Sequence, residues 1–167
     1  FISGDLTARD RAKNEKMWAE MAKAEPGKMS VFSILMAPTK GISYLGQAAD
    51  YLDDGTMDQN ASYNKYSYIP STIRKTVSDK IATSGKWGEV GSFAYNTGMS
   101  MGDFLFTTVA SGGNQWLALA LMGSGAAADT TIAAKDRGLT DDEAFSFGTI
   151  AGIAEVAMER ISLGAWL

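Results

Sequence analysis

The segment GLTDDEAFSFGTIAGIAEVAMERISL, residues 138–163, decides the fold predicted for this chain. Ala144, Gly148 and Gly152 recur there at four-residue steps, where an ordinary amphipathic helix carries bulkier residues. A glycine inside a helix costs about 1 kcal/mol relative to alanine, so two on one face need a compensating contact. We therefore expect a close helix crossing, which leucine at Gly148 or Gly152 disrupts and alanine leaves intact.

The beginning of this helix carries its own signal. Thr140 and Glu143 have the spacing of a capping box, in which each side chain bonds the other residue's backbone N–H. Arg137-Gly138 breaks the preceding helical pattern. Residues 114–137 and 141–161 are therefore predicted to form an antiparallel hairpin whose outer face contacts another chain or domain. The predicted aromatic anchors of that contact are Trp116, Phe145 and Phe147.

Small residues at four-residue spacing also mark the two helices predicted before this one, at 87–110 and 114–137. Small side chains let helix backbones approach closely, and dispersion along the contact then replaces leucine packing. We expect these three helices to pack along such stripes. The remaining members of the stripes are Gly98, Gly102, Ala120, Ser124 and Ala128.

The rest of the chain also has helical periodicity. Thr7 is a predicted N-cap, Pro26-Gly27 ends the first helix, and Pro38 divides the region that follows. No stretch sustains the period-two alternation of a strand. The predicted fold is an all-α bundle of six or seven helices. Residues 1–70 form N-terminal helices with a tyrosine-rich loop at 54–70, and residues 71–167 form a bundle rich in glycine and alanine. The loop is expected to anchor through its tyrosine rings.

Composition argues against most kinds of chemistry. The 167 residues include no histidine and no cysteine, which removes the commonest general base, thiol nucleophile and zinc ligands. The net charge of −4 does not favour a nucleic-acid-binding face. Glu155 and Glu159 lie one helical turn apart, and we interpret them as a solvated edge. We expect no enzyme, cofactor, metal or small-molecule substrate.

A membrane-active role is the alternative. Twenty-five uncharged residues separate Asp103 from Asp129, but the polar run at 111–115 interrupts them. A spanning helix needs about 20 predominantly apolar residues, so the sequence favours a bundle in water, with conditional membrane contact as the other hypothesis.

Residues 94–163 resemble a segment of very large multidomain proteins of phages and prophage-like elements of Gram-positive gut bacteria. The resemblance lies in four short patterns, at 95–100, 121–127, 137–138 and 148–155, and the upstream segment 68–81 also fits it. It implies a helical module that is carried inside the virion, is ejected with DNA, or belongs to a large effector. It supplies no active-site residues.

From these observations we expect a non-enzymatic structural module that assembles with copies of itself or with other virion proteins. The implied location is the virion or the host cytoplasm, with membrane association during delivery. Both ends look cut, so we interpret the chain as a piece of a longer protein. The alternative functions are a membrane-perturbing or pore-forming segment used in DNA or effector delivery, and an accessory domain of an enzyme.

Overall fold

A computed structural model describes residues 8–166, and the regular elements in that range are all helical. The prediction of an all-α bundle of six or seven helices is confirmed, since the described part contains seven α-helices and no strand. Short 3-10 helices at Ala37–Thr39 and Ser62–Asn64 precede α3 and α4. The α-helices are α1 (Ala8–Ala24), α2 (Pro26–Leu35), α3 (Lys40–Asp54), α4 (Lys65–Ala82), α5 (Gly88–Ala110), α6 (Gln115–Asp136) and α7 (Asp141–Trp166).

Proline shapes the first half of the chain in two ways. Pro26 occupies the first turn of α2, where its missing N–H costs no hydrogen bond, so it begins a helix as well as ending α1. Pro38 lies in the 3-10 helix that separates α2 from α3, as the sequence predicts. The predicted N-cap Thr7 lies outside the described residues.

The tyrosine-rich loop is shorter than predicted. Helix α4 already begins at Lys65 and contains Pro70, so the predicted domain boundary between residues 70 and 71 falls inside this helix. The predicted loop ends at Pro70, but burial of Tyr68, Ile69 and Ile73 around this proline keeps the helix continuous. The rings of Tyr63 and Tyr68 do anchor this region, the first against Gly46 and the second in the core.

Helix α4 carries the core of the N-terminal half. Ile73 is fully buried on it, and Val77 and Tyr68 are nearly so. Trp18 of α1 and Phe32 of α2 stack with their ring centroids 5.4 Å apart and pack against this cluster. Large side chains therefore join α1, α2 and α4.

The C-terminal half is the predicted α6–α7 hairpin. Leu139 N–H donates to the Ala134 carbonyl, and Gly138, at a φ of 86°, donates to Lys135, which is a Schellman ending of α6. The capping box follows: Thr140 N–H donates to Glu143 Oε2 over 3.0 Å, and Glu143 N–H donates back to Thr140 Oγ1. A four-residue turn thus reverses the chain.

Candidate functional site

The seam between α6 and α7 is closer than an alanine allows. A Cβ atom at Gly148 would lie 1.9 Å from Thr131 Oγ1 and 2.6 Å from the Ala127 carbonyl oxygen. A Cβ atom at Gly152 would lie 2.5 Å from the Gly123 carbonyl oxygen. These oxygens belong to backbone or to a buried side chain, so they have little freedom to move away. The expected close crossing is present, whereas the expectation that alanine is tolerated there is wrong.

The surface of α6 that meets α7 differs from the predicted stripe. It is formed by Gly123, Ala127 and Thr131, and the predicted stripe of Ala120, Ser124 and Ala128 lies beside it. Successive residues of an α-helix point about 100° apart around its axis. A stripe that begins one residue later along α6 therefore faces a different neighbouring helix.

The three residues of the predicted stripe on α6 do not share one neighbour. Ser124 approaches Gly41 of α3. The Ala128 carbonyl accepts a 3.5 Å hydrogen bond from the side-chain amide of Gln47, which is also on α3. Ala120 is exposed at a groove between α6 and α7. The hairpin therefore uses small residues on two faces of α6, one toward α7 and one toward α3.

The glycines of α5 do not join this seam. A Cβ atom at Gly102 would meet Ile34 of α2 at 2.7 Å, whereas one at Gly98 would have no neighbouring atom within 4 Å. The expectation that α5 packs against α6 and α7 through these glycines is thus wrong for both positions. On α7, Ala144 is fully buried and clusters with Ala134 and Met57.

The three predicted aromatic anchors lie in different surroundings. Phe145 is half-buried and stacks on Tyr51 and Tyr44 of α3, with ring centroids 4.4 and 6.0 Å apart, so it belongs to the internal core. Trp116 is 66% exposed and lies under the guanidinium of Arg160. Phe147 is 61% exposed. Only Trp116 and Phe147 are available to a partner, since α3 covers Phe145.

Five parts of the chain converge on a polar cleft of about 200 Å³, which we call the α4–α7 cleft. Two ion pairs form its walls. Lys40 Nζ lies 3.2 Å from an Asp129 carboxylate oxygen, and Arg74 holds Asp103 through both terminal guanidinium nitrogens, one at 2.6 Å. Further residues that line the cleft are Ala37, Ser100, Thr107, Leu121, Met122, Gly125, Ala126, Glu155 and Glu159.

Glu155 and Glu159 enter this cleft from α7. Both are half-buried, and within the described range neither carboxylate forms an ion pair or hydrogen bond. Burial, followed by the charge of Glu155, raises the pKa of Glu159 above its ordinary value. The sequence interpretation of a solvated edge is thus wrong, because the packing of α5 against α6 encloses a face that a single helix would leave in water.

A second notable surface is the outer face of α5, the α5 stripe: Val90, Phe93, Met101, Leu105 and Val109. All five side chains are exposed. Glu89 and Asp103 are the acidic residues of this helix, which has no basic ones, and Asp103 is turned inward to Arg74. Contiguous exposed apolar surface on a folded protein marks a binding face for protein or membrane.

No known protein family, curated protein or solved structure matches this chain. The resemblance to phage-type proteins therefore stays a hypothesis from the sequence.

Proposed function

We propose that this chain is a non-enzymatic structural module that assembles with copies of itself through the α5 stripe. The observation that carries the proposal is the exposure of large apolar side chains in both the first and the last third of α5, with no charge on that face after Glu89. The phage-type context, in a virion or host cytoplasm, rests on the sequence resemblance of residues 94–163.

The position of Gly98 favours a second copy as the partner. In a two-fold symmetric contact the same residue of both copies meets at the axis. Gly98 lies near the middle of the 23-residue helix, and nothing occupies the space beside it. Two α5 helices can therefore cross at Gly98 with short backbone separation. Met101 and Leu105, three and seven residues further along, lie on the same side of the helix as Gly98 and would pack beside the crossing.

The size of this contact predicts a weak dimer. Helix α5 is about 35 Å long, and a face about 10 Å wide covers roughly 350 Å² per copy. Stable complexes bury about 800 Å² on each partner. We therefore expect a dimer that dissociates on dilution, and whose assembly in a longer protein is supported by additional contacts.

Analytical ultracentrifugation over a range of protein concentrations tests the proposal. The wild-type chain should dimerise reversibly, and the double substitution Met101→Ser with Leu105→Ser should leave a monomer with unchanged helix content. The matched control is Ile150→Ser with Ile153→Ser, which removes two equally exposed apolar side chains from α7 and should leave the dimer intact. A wild-type chain that stays monomeric throughout, or loss of the dimer in the control alone, contradicts the proposal.

A membrane-perturbing role is the second candidate. One described helix segment, Trp116–Asp136, is long and apolar enough to cross a bilayer, although half of its residues are buried against other helices. Insertion would require this hairpin to leave the bundle. Leakage of dye from anionic lipid vesicles, abolished by a substitution such as Ala120→Lys on the exposed side of α6, would support this role over self-assembly.

A further inference from the structure

We propose that the α4–α7 cleft is a binding site for an organic cation, a guanidinium or alkylammonium group held between Glu155 and Glu159. This site is separate from the α5 stripe and does not depend on the proposed dimer. It also runs against the expectation that the chain has no small-molecule ligand.

The charge of the cleft selects a cation. Lys40 with Asp129 and Arg74 with Asp103 are two pairs whose charges cancel. Glu155 and Glu159 then leave the cleft with two uncompensated carboxylates in a partly dehydrated position. An unpaired charge taken out of water costs free energy, and a bound cation removes that cost. Burial, and then the charge of Glu155, raise the pKa of Glu159. The carboxylate binds a proton more readily because its charged form is destabilised in the cleft.

Thr107 supplies an independent indication of a ligand. Its side chain is 1% exposed and lines the cleft, yet its hydroxyl has no hydrogen-bond partner within the described part of the chain. The neighbouring Thr108 hydroxyl, by contrast, donates to the Phe104 carbonyl over 2.8 Å. Buried polar groups are nearly always hydrogen-bonded, and this hydroxyl opens onto the cleft, so its hydrogen-bond partner comes from whatever occupies the cleft. Thr107 lines the same cleft as Glu155 and Glu159, and its hydroxyl oxygen can accept from a guanidinium or ammonium N–H.

The cleft suits a flat or elongated head group with an apolar stem. Its volume is about 200 Å³, and Leu121, Met122 and Ala126 line its walls beside the polar groups. The two parallel N–H donors of a guanidinium bind the two oxygens of one carboxylate, and its remaining N–H groups can then reach a second acid one helical turn away. A guanidinium or alkylammonium group can belong to a free organic cation or to a basic side chain of another protein chain.

Isothermal titration calorimetry with n-butylguanidinium is the direct test, and n-butylurea is its uncharged analogue of nearly the same shape. The guanidinium should bind and the urea should not. Glu155→Gln and Glu159→Gln should each weaken binding at least about tenfold, since hydrogen bonds to charged groups are the strong ones. Glu89→Gln, which removes an acid from the far end of α5, is the matched control and should leave the affinity unchanged.

Thr107→Val separates a binding role from a structural one. Valine keeps the shape and removes the unpaired hydroxyl, so the ligand-free protein should unfold at the same or a higher temperature while n-butylguanidinium binds more weakly. Loss of stability with unchanged binding would show that the hydroxyl serves the fold, and would overturn the assignment.

Two further arms identify the source of the cation. Capped arginine, an amide at both ends, stands for a side chain of a partner, and spermidine stands for a free polyamine. Tighter binding of either one supports the site and names its source. Equal heats for n-butylguanidinium and n-butylurea, or binding of Mg²⁺ or Ca²⁺ in place of every organic probe, would overturn the proposal.

Discussion

The N-terminal core around α4 and the α6–α7 hairpin are stabilised by opposite means. Around α4, large side chains such as Ile73 and Tyr68 fill the space between helices. In the hairpin, Gly148 and Gly152 have no side chains, and this lets the backbone of α7 lie directly against α6. Removing atoms from the α4 core lowers the free energy of unfolding. In the hairpin, adding atoms at the glycines lowers it. One chain thus contains two kinds of core whose responses to mutation have opposite signs.

The largest expected effect lies in the α4 core. Ile73 is fully buried and belongs to the cluster that joins α1, α2 and α4. Ile73→Ala leaves a cavity there and should lower the free energy of unfolding by about 2–5 kcal/mol. Chemical denaturation followed by circular dichroism measures this change. A loss near zero would mean that large side chains do not hold this half, and the contrast with the hairpin would fail.

A smaller effect of the opposite kind is expected in the hairpin. Gly152→Ala adds one methyl group against the Gly123 carbonyl oxygen and should cost about 1–3 kcal/mol, although alanine is the better helix former. Gly27→Ala is the control, because Gly27 is helical and has open space beside it. Thermal melts should show Gly152→Ala less stable and Gly27→Ala as stable as the wild type or more. Equal melts for the two variants would argue against a close seam.

How far the sequence predicted this architecture depends on whether a signal is local. Caps and breaks are local, so Thr140, Glu143, Gly138 and Pro38 marked their helix ends correctly. Pro70 misled because only tertiary packing shows that α4 continues through it.

The partners of each small-residue stripe could not be predicted in the same way. Gly123, Ala127 and Thr131 carry the same four-residue spacing as the stripe beside them, and only the relative rotation of α6 and α7 selects between the two. The α4–α7 cleft was missed for a related reason. Its charged residues come from five helices, and nothing in the sequence brings Arg74 and Asp103 near Glu155.

The smallest expected effect concerns the turn that sets the hairpin geometry. Thr140→Ala removes the hydroxyl that accepts the Glu143 N–H and should cost about 1 kcal/mol at neutral pH. Hydrogen bonds from the Thr140 backbone and then its hydroxyl lower the pKa of Glu143. Stability from this carboxylate is therefore present above the ordinary glutamate pKa of about 4.3 and is lost as the pH falls through the lowered value.

The pH dependence supplies the check on this turn. The stability difference between wild type and Glu143→Gln should shrink in acid, whereas the difference between wild type and Glu20→Gln, an exposed acid on α1, should vary less. A Glu143→Gln difference that grows as the pH falls would mean that the box does not form.

The most direct test of the contrast between the two cores is a double-mutant cycle across the seam, with Gly148→Ala and Thr131→Ala measured singly and together by denaturant unfolding. Because Thr131 Oγ1 lies closest to the added methyl, removing it should relieve part of the clash. The cost of Gly148→Ala should then be smaller in the Thr131→Ala background by at least about 0.5 kcal/mol. The same cost in both backgrounds would show that the two positions do not meet, and would contradict the account of a hairpin whose two helices touch at Gly148.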